Sequence, residues 1–172
     1  FYAQQALAID GQALTMIGEY IDCSGATPGA VTELNGAGGQ RNSVLTITGT
    51  GNAVRLERLK IAGGDEADGD DGGGIDFAGA GTLYLTHMEI SGNSAENGGG
   101  LAVRYGFSTI ATLGPDVRII GNTARANGGG IHVRYGVLRA DADQIYIGVN
   151  RAPNGLGGGT DVRYTTQVDL GS

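Results

Sequence analysis

Three arginine–tyrosine pairs recur along the chain at nearly constant spacing, and their side chains are well suited to binding a ligand. The pairs are Arg104-Tyr105, Arg134-Tyr135 and Arg163-Tyr164. A guanidinium group can hold a carboxylate or a sulfate through parallel hydrogen bonds, and a tyrosine ring offers a flat surface to a sugar ring. If the repeats stack, the pairs form a strip that matches a regular anionic glycan.

The arginine row also has a purely structural interpretation. Three like charges at strand spacing repel by about 1 kcal/mol per neighbouring pair, so something should offset the repulsion. Nearby acids, Asp161 and the turn residue Asp116, could neutralise the row while the arginine stems and tyrosine rings cover the strand ends.

Weak catalytic candidates lie beside the same row. Alignment of the repeats places Asp76, Ala102, His132 and Asp161 in one outward column. The two carboxylates are three repeats apart, about 14 Å at strand spacing, whereas glycoside hydrolysis needs about 5 to 9.5 Å. His132 and Asp161 are one repeat apart and could form an acid–base pair, but no third group is identifiable. A surface histidine beside a carboxylate is the simpler interpretation.

An acidic stretch in the first half of the chain is a weak candidate for a calcium site. Its carboxylates belong to Asp65, Glu66, Asp68, Asp70 and Asp71. Calcium takes six to eight oxygen ligands, so a glycine-containing acidic loop could hold it. The spacing does not match an EF-hand loop, and no calcium-binding nonapeptide recurs. The alternative is a solvated loop without a metal. No other cofactor is indicated.

Composition excludes several classes of partner and structure. A formal charge of −7 and a pI near 4.6 argue against binding to nucleic acid. The single cysteine, Cys23, excludes an intrachain disulfide and a cysteine-based zinc site, and is interpreted as a small buried hydrophobic residue. No apolar run is long enough to span a membrane, and no signal peptide is visible.

An internal repeat organises the whole chain. Residues 97–106 return as residues 127–136 with two positions changed, and runs of glycine begin at 72, 98, 128 and 157. A period of 26 to 30 residues is typical of a stacked, solenoid architecture. Leucine-rich repeats fit this period, but their Leu-x-x-Leu-x-Leu pattern is absent. Propeller blades need about 40 residues or more.

Short β-prone segments between the glycines predict the fold. One repeat contains segments at 101–104, 108–113 and 117–120, and the next has counterparts at 131–134, 137–140 and 144–148. Each segment can pair in parallel with its counterpart one repeat away. We therefore predict an all-β, right-handed, single-stranded parallel β-helix with three short strands per coil, about five to six coils and under about 10% helix. Residues 1–172 form one domain, interpreted as a fragment of a longer chain, with loops at 24–42 and 63–73.

Alignment of the repeats also predicts the core and the turns. One column holds Ile75, Leu101, Ile131 and Thr160, and a second holds Phe77, Val103, Val133 and Val162. Both should face inward. Three asparagines in register are interpreted as a structural ladder of amide groups, namely Asn93, Asn122 and Asn150. Glycines at the next turn leave space for close approach between coils, namely Gly99, Gly100, Gly129 and Gly130.

Two motifs carry a resemblance to a known family. The chain combines Gly-Gly-(Ile/Leu), as at residues 99–101, with Ile-x-x-Asn, as at residues 90–93. Over about residues 61–164 this resembles the repeats of chlamydial polymorphic outer-membrane proteins and autotransporter-like adhesins on right-handed β-helices. The resemblance implies export, display on a bacterial surface and a role in adhesion. It implies no catalytic residues, because the shared motif is a scaffold motif.

The resulting functional expectation is a non-catalytic segment of a secreted or cell-surface bacterial protein that binds a host surface or an anionic glycan. A polysaccharide lyase or glycoside hydrolase on a pectate-lyase-like β-helix is the alternative, because such folds also carry enzymes. A purely structural stalk is a third possibility. No cap is recognisable at either end, so we also expect end-to-end or edge self-association.

Overall fold

The computed structural model describes residues 2–3, 6–19, 31–36, 42–66, 69–106, 108–141, 144–164 and 168–169. Over these residues the chain forms twenty β-strands and no helix. The all-β prediction is confirmed. Cys23 lies outside the described residues.

Three parallel sheets of six strands each contain all but two of these strands. Sheet A consists of β1 (Tyr2–Ala3), β4 (Thr32–Asn35), β7 (Leu59–Ala62), β10 (Glu89–Ser91), β14 (Arg118–Ile120) and β18 (Tyr146–Gly148). Sheet B consists of β2 (Leu7–Asp10), β5 (Leu45–Thr48), β8 (Ile75–Phe77), β12 (Leu101–Arg104), β16 (Ile131–Arg134) and β19 (Thr160–Arg163). Sheet C consists of β3 (Ala13–Ile17), β6 (Asn52–Glu57), β9 (Gly81–Thr86), β13 (Thr109–Leu113), β17 (Val137–Ala140) and β20 (Val168–Asp169).

The chain visits the three sheets in turn, so that each strand pairs in parallel with its counterpart one repeat away. Strand β12, for example, lies between β8 and β16, with Leu101 opposite Ile75 on one side and Ile131 on the other. The molecule is therefore a parallel β-solenoid with three faces, as the repeat predicts. The right-handed sense of the coil stays a prediction.

Two features differ from the sequence-based expectation. A fourth segment becomes a strand in two coils, where β11 (Ser94–Asn97) pairs with β15 (Thr123–Asn127) in a separate two-stranded sheet. The prediction of a continuous loop over 24–42 is wrong at β4, because Leu34 pairs with Ile61 and adds its side chain to the core. Among the described residues, no strand lies between β7 and β8, where the second loop was predicted.

The core lies between the three sheets and consists of stacked aliphatic columns. In sheet B, Leu101, Val103, Ile131 and Val133 are completely buried, as is Phe77. These side chains alternate along their strands with the outward positions that carry the polar residues of the repeat. The predicted inward columns are therefore present, and the outward column of sheet B has defined neighbours one coil above and below.

The glycine runs stand where two coils come into contact through their backbones. A Cβ on Gly99 would lie 2.4 Å from the carbonyl oxygen of Thr123, and one on Gly129 would lie 2.3 Å from that of Arg151. A Cβ on Gly100 or Gly130 would also stand less than 3 Å from a backbone oxygen of the next coil. Only glycine fits at these positions without displacement of the next coil.

The asparagine column forms a continuous hydrogen-bonded ladder that is buried at Asn93 and Asn122 and half-buried at Asn150. Asn93 Nδ2 donates to Asn122 Oδ1 at 3.0 Å, and Asn122 Nδ2 donates to Asn150 Oδ1 at 3.1 Å. Asn122 Nδ2 also donates to the carbonyl of Ile90 at 2.9 Å. Asn122 thus connects the coil before it to the coil after it, and its amide satisfies a buried backbone carbonyl at the corner that follows sheet A.

Candidate functional site

The arginine row lies at the end of three neighbouring strands of sheet B. Arg104 pairs in register with Arg134, and Arg134 pairs with Arg163. The alignment predicted from the repeat is therefore present in the structure. Because strands in a sheet are spaced at about 4.8 Å, the three arginine side chains project from the same edge of the sheet, one from each successive coil.

A tyrosine follows each arginine at the corner between sheets B and C. Tyr105, Tyr135 and Tyr164 have φ angles of +94°, +59° and +53°, and their exposed fractions are 74%, 41% and 67%. The left-handed conformation costs a bulky residue about 1 to 2 kcal/mol, which glycine or asparagine would reduce. Backbone strain of this kind is found preferentially at sites that bind or react.

The tyrosine rings are organised with the arginines. Tyr135 and Tyr164 stack with ring centroids 5.1 Å apart and an interplanar angle of 18°. The guanidinium carbon of Arg104 lies 5.8 Å from the ring centroid of Tyr105, and that of Arg134 lies 5.5 Å from Tyr135. These distances fall within the range of cation–π attraction. The row is therefore an ordered strip of guanidinium groups and exposed rings.

Arg104 is neutralised by an acid from the preceding coil. Its Nε donates to Asp76 Oδ1 at 2.8 Å and its Nη2 to Asp76 Oδ2 at 2.6 Å. Asp76 is only 5% exposed, and this burial raises the pKa of its carboxyl group, although the hydrogen bond from Arg104 opposes the rise. The same hydrogen bond raises the pKa of Arg104.

Arg163 is neutralised by Asp161 of its own strand. Its Nε lies 2.9 Å from Asp161 Oδ2, and its Nη2 donates to Asn127 Oδ1 at 2.7 Å. Asp161 therefore neutralises one arginine of the row, as predicted. The prediction that Asp116 also neutralises the row is wrong. Asp116 lies at another corner of the coil, where its carboxylate is 3.3 Å from His87 Nε2.

The histidine of this face is buried. His132 is 3% exposed, and its Nδ1 lies 3.0 Å from Asp161 Oδ2. The expectation of a surface histidine is therefore wrong. Burial lowers the pKa of His132, an effect that the carboxylates of Asp71 and Asp161 partly oppose. The predicted His132–Asp161 pair is formed, and the sharing of Asp161 with Arg163 holds it in place.

Arg134, at the centre of the row, differs from its two neighbours. Its side chain is exposed, and within the described part of the chain no carboxylate lies at ion-pair distance from it. A groove of about 270 Å³ opens beside it, lined by Asp71, Arg104, Tyr105, Arg134 and Tyr135. The groove therefore contains one guanidinium group whose charge is not already paired among the described residues.

A second polar ladder supports this face and was missed in the sequence. Asn97 Nδ2 donates to Asp71 Oδ1 at 2.7 Å, and Asn127 Nδ2 donates to Asn97 Oδ1 at 2.9 Å. Each of these residues stands directly before a glycine run, so the repeat itself carried the signal. The ladder connects Asp71 in the groove to Arg163, because Asn127 also accepts a hydrogen bond from that arginine.

The acidic stretch spreads its described carboxylates among separate partners. Asp65 accepts from the Ser94 hydroxyl, and Glu66, which is buried, accepts from the backbone N–H of Ser43 at 3.0 Å. Within the described ranges, no three His, Cys, Asp or Glu side chains are grouped so that they could hold a metal. Asp70 is exposed, and Asp68 lies outside the described residues. Calcium binding stays a prediction without a geometric basis among the described side chains.

Sheet A carries a charge pattern that was also missed. Glu33, Lys60, Glu89 and Arg118 stand in register on consecutive strands, so their charges alternate. Lys60 Nζ lies 3.4 Å from Glu33 and 3.8 Å from Glu89. A groove of about 480 Å³ crosses this face and reaches the His87–Asp116 pair. It is larger than the groove beside Arg134, but most of its charged groups already pair with one another.

Comparisons with families of proteins, with curated proteins and with solved structures found no match to this chain. Among the described residues there is no helix long and apolar enough to cross a membrane. The class of the protein is therefore defined by its architecture. It is a parallel β-solenoid with an ordered arginine–tyrosine strip along one edge.

Proposed function

We propose that this chain is a non-catalytic binding segment of a secreted or cell-surface bacterial protein, and that its ligand is an anionic glycan. The observation that carries the proposal is the strip formed by Arg104-Tyr105, Arg134-Tyr135 and Arg163-Tyr164, with exposed rings in register with the arginines. Guanidinium groups and ring faces are the chemistry that recognises acidic sugars.

The conformation of the tyrosines supports a role in binding. Three consecutive coils place a bulky aromatic residue in the left-handed region, where it costs stability and covers little of the core. If the corner served only to turn the chain, smaller residues would perform better. Exposed rings also add little to folding, because they remain in contact with water. Contact with a ligand explains their presence on the strip.

The charged pairs on this face support binding rather than catalysis. Asp76 is engaged by Arg104 in two hydrogen bonds, and Asp161 is shared by His132 and Arg163. The outward register separates the two carboxylates by three strands, so they cannot act together on one glycosidic bond. His132 is buried and its lowered pKa keeps it neutral near pH 7. A general acid would need access to the ligand and a proton to donate.

Export and surface display rest on the resemblance of the repeats to those of chlamydial polymorphic outer-membrane proteins and autotransporter-like adhesins. Both motifs of that resemblance serve the scaffold here, because the asparagines form the hydrogen-bonded ladder and the glycines form the close contacts between coils. Adhesion to a host surface is the role that this resemblance adds to glycan binding. Self-association of the chain stays a prediction.

The proposal is tested by removing the rings without disturbing the fold. Tyr105→Gly keeps the left-handed φ accessible, so we expect the free energy of unfolding to stay the same or rise by up to about 1 kcal/mol. Retention on a panel of immobilised acidic glycans should fall by about tenfold, which corresponds to one lost ring contact. Gln144→Gly is the matched control, because Gln144 also has a positive φ of 67° and is exposed at another corner.

The outcome that would contradict the proposal is specific. If the protein is retained on no acidic glycan, the strip is not a glycan site. The same conclusion follows if Tyr105→Gly and Gln144→Gly are both retained as strongly as the wild type. Measuring cleavage of the same glycans by reducing-end formation tests the enzymatic alternative, and sustained cleavage would contradict the non-catalytic assignment.

A further inference from the structure

The three arginines of the strip are not equivalent, and their pairing defines the charge that a ligand would meet. Arg104 is held by Asp76, and Arg163 is held by Asp161 and Asn127. Arg134 is exposed, and its described contact is the face of Tyr135. Among the residues that the structure describes, the strip therefore presents one guanidinium group without a carboxylate partner, and not three.

The acids of the same face bring the local charge to zero. The three arginines of the strip stand against three carboxylates, those of Asp71, Asp76 and Asp161. His132 adds no charge near pH 7, because burial lowers its pKa. A polyanion with a charge on every sugar would meet Asp71 directly inside the groove. Like charges at such short range repel, so a densely charged ligand is disfavoured.

The size of the groove limits what can enter it. Its volume is about 270 Å³, below the range of about 300 to 1,000 Å³ typical of sites for drug-sized ligands. The groove therefore suits one ring-sized unit of a longer chain. Because the strip is open at the surface, neighbouring units of a glycan can continue along it toward the stacked pair Tyr135 and Tyr164.

Asp71 adds a requirement for hydrogen-bond donors on the ligand. Its Oδ1 accepts a hydrogen bond from Asn97, and its Oδ2 lies 3.9 Å from Arg104 Nη1, beyond hydrogen-bond distance. That oxygen can accept a hydroxyl group of a bound molecule. A sugar acid supplies both a carboxylate for Arg134 and hydroxyl groups for Asp71, whereas a sulfate-rich chain supplies anions at many of the positions where hydroxyls would stand.

We infer that the groove between Tyr105 and Tyr135 binds a single carboxylate-bearing sugar residue, with Arg134 as the residue that holds its carboxylate. The inference rests on the proposed function and narrows it to glycans whose acidic sugars are separated by uncharged ones or stand alone at an end. In this arrangement Tyr105 contacts the sugar ring, and Arg104 supports the wall of the groove as a positioning residue.

The inference is tested by titration calorimetry at physiological salt with defined probes. The acidic probes are a hyaluronan tetrasaccharide, which has a carboxylate on every second sugar, and sialyllactose, which has one. Each is paired with the same molecule after reduction of its carboxylates to alcohols. A heparin tetrasaccharide represents the dense polyanion, and an acidic tetrapeptide with one glutamate represents a protein ligand.

We expect at least one acidic probe to bind, its reduced partner to bind at least tenfold more weakly, and heparin to bind more weakly than the better acidic probe. Arg134→Gln should weaken binding by about 10- to 100-fold, the value of a charge-assisted pair of hydrogen bonds. Arg134→Lys should weaken binding less than Arg134→Gln, because lysine keeps the charge although it lacks the planar fork of donors. Arg118→Gln, an exposed arginine on sheet A, should leave binding unchanged and controls for net charge.

The possible failures are distinguishable. Stronger binding of heparin than of both acidic probes, or a loss in Arg118→Gln equal to that in Arg134→Gln, would overturn the single-carboxylate inference and leave anionic-glycan binding intact. Absence of binding to every glycan probe would overturn both proposals. Tightest binding to the acidic peptide would assign the groove to a protein ligand and would also overturn both.

Discussion

Arg104 holds the buried carboxylate of Asp76, one coil away, through two parallel hydrogen bonds of 2.8 and 2.6 Å. Considered alone, the arginine row predicts repulsion that its removal would relieve. The pair with Asp76 reverses that prediction for Arg104, because removal of the arginine leaves a carboxylate unpaired in a buried position.

Arg104→Gln should therefore lower the free energy of unfolding by about 2 to 4 kcal/mol, as expected when one partner of a largely buried ion pair is removed. The double variant Asp76→Asn with Arg104→Gln should recover most of this loss, because it leaves no buried charge. Urea denaturation of the two variants and the wild type measures the difference. An Arg104→Gln variant as stable as the wild type would show that the pair does not contribute to stability.

Acid should destabilise the protein through His132. Burial lowers the pKa of His132 below its usual value of 6.5, so the unfolded chain binds the proton more tightly than the folded one. The stabilising contribution of the neutral ring is therefore fully present above pH 6.5, and it is lost as the pH falls from 6.5 through the lowered folded-state value. Because a single proton is involved, the unfolding free energy changes through His132 by at most about 1.4 kcal/mol per pH unit.

His132→Gln should remove this part of the pH dependence. The measurement is the difference in unfolding free energy between the variant and the wild type from pH 8 to pH 5. Asp76, whose pKa is raised, contributes with the opposite sign toward lower pH, but it is common to both proteins and cancels in the difference. A difference that stays constant over this range would contradict the assignment to His132.

The asparagine ladder should be a major source of stability. Asn122→Ala removes the acceptor for two groups of Asn93 and the donor to Asn150 and to the carbonyl of Ile90. We expect a loss of about 3 kcal/mol or more, because these groups are buried and would remain without partners. Asn154→Ala, at an exposed turn, should change stability by less than about 0.5 kcal/mol. Equal effects of the two substitutions would refute a structural role for the ladder.

The glycine contacts between coils should tolerate no side chain. Gly129→Ala places a Cβ 2.3 Å from the carbonyl oxygen of Arg151 and 2.5 Å from that of Gly158. Both are backbone atoms, so the coils must separate, at an expected cost of about 3 kcal/mol or more. Gly121→Ala is the control, because its Cβ would enter open space and only its positive φ of 64° is unfavourable, by about 1 kcal/mol. A thermal melt of each variant compares the two costs, and equal shifts in Tm would contradict the steric account.

Much of the fold could be predicted from the repeat. Strands β12, β16 and β17 have the predicted bounds, and the columns through Leu101 and Val103 face the core as expected. The reason is that every coil has the same pattern of turn residues, inward residues and outward residues. Glycines mark the corners, and the alternation of apolar and polar residues marks the inward positions. The pairing of each strand with its counterpart one repeat away follows from both. The register of the arginines and of the asparagines follows from the same periodicity.

The irregular parts of the coil could not be predicted in this way. Strand β4 lies within a stretch that glycine and proline made resemble a loop, and its place in sheet A depends on pairing with β7 from the next coil. The extra strands β11 and β15 form because two polar segments meet each other across coils. The apolar residues of both segments are alanines alone, so neither segment has the large apolar side chains that identify a buried strand in the sequence.

The sequence by itself determined the solenoid, its stacked core and the row of arginines and tyrosines, because each depends only on position within the repeat. The tertiary structure alone decided how the charges pair. Asp76 lies well before Arg104 in the chain yet holds it, while Asp116 turns toward His87 at a different corner. Those choices depend on the direction in which each side chain leaves the coil and on how deeply it is buried. For the same physical reason, Arg134 and not its neighbours presents the available charge of the groove.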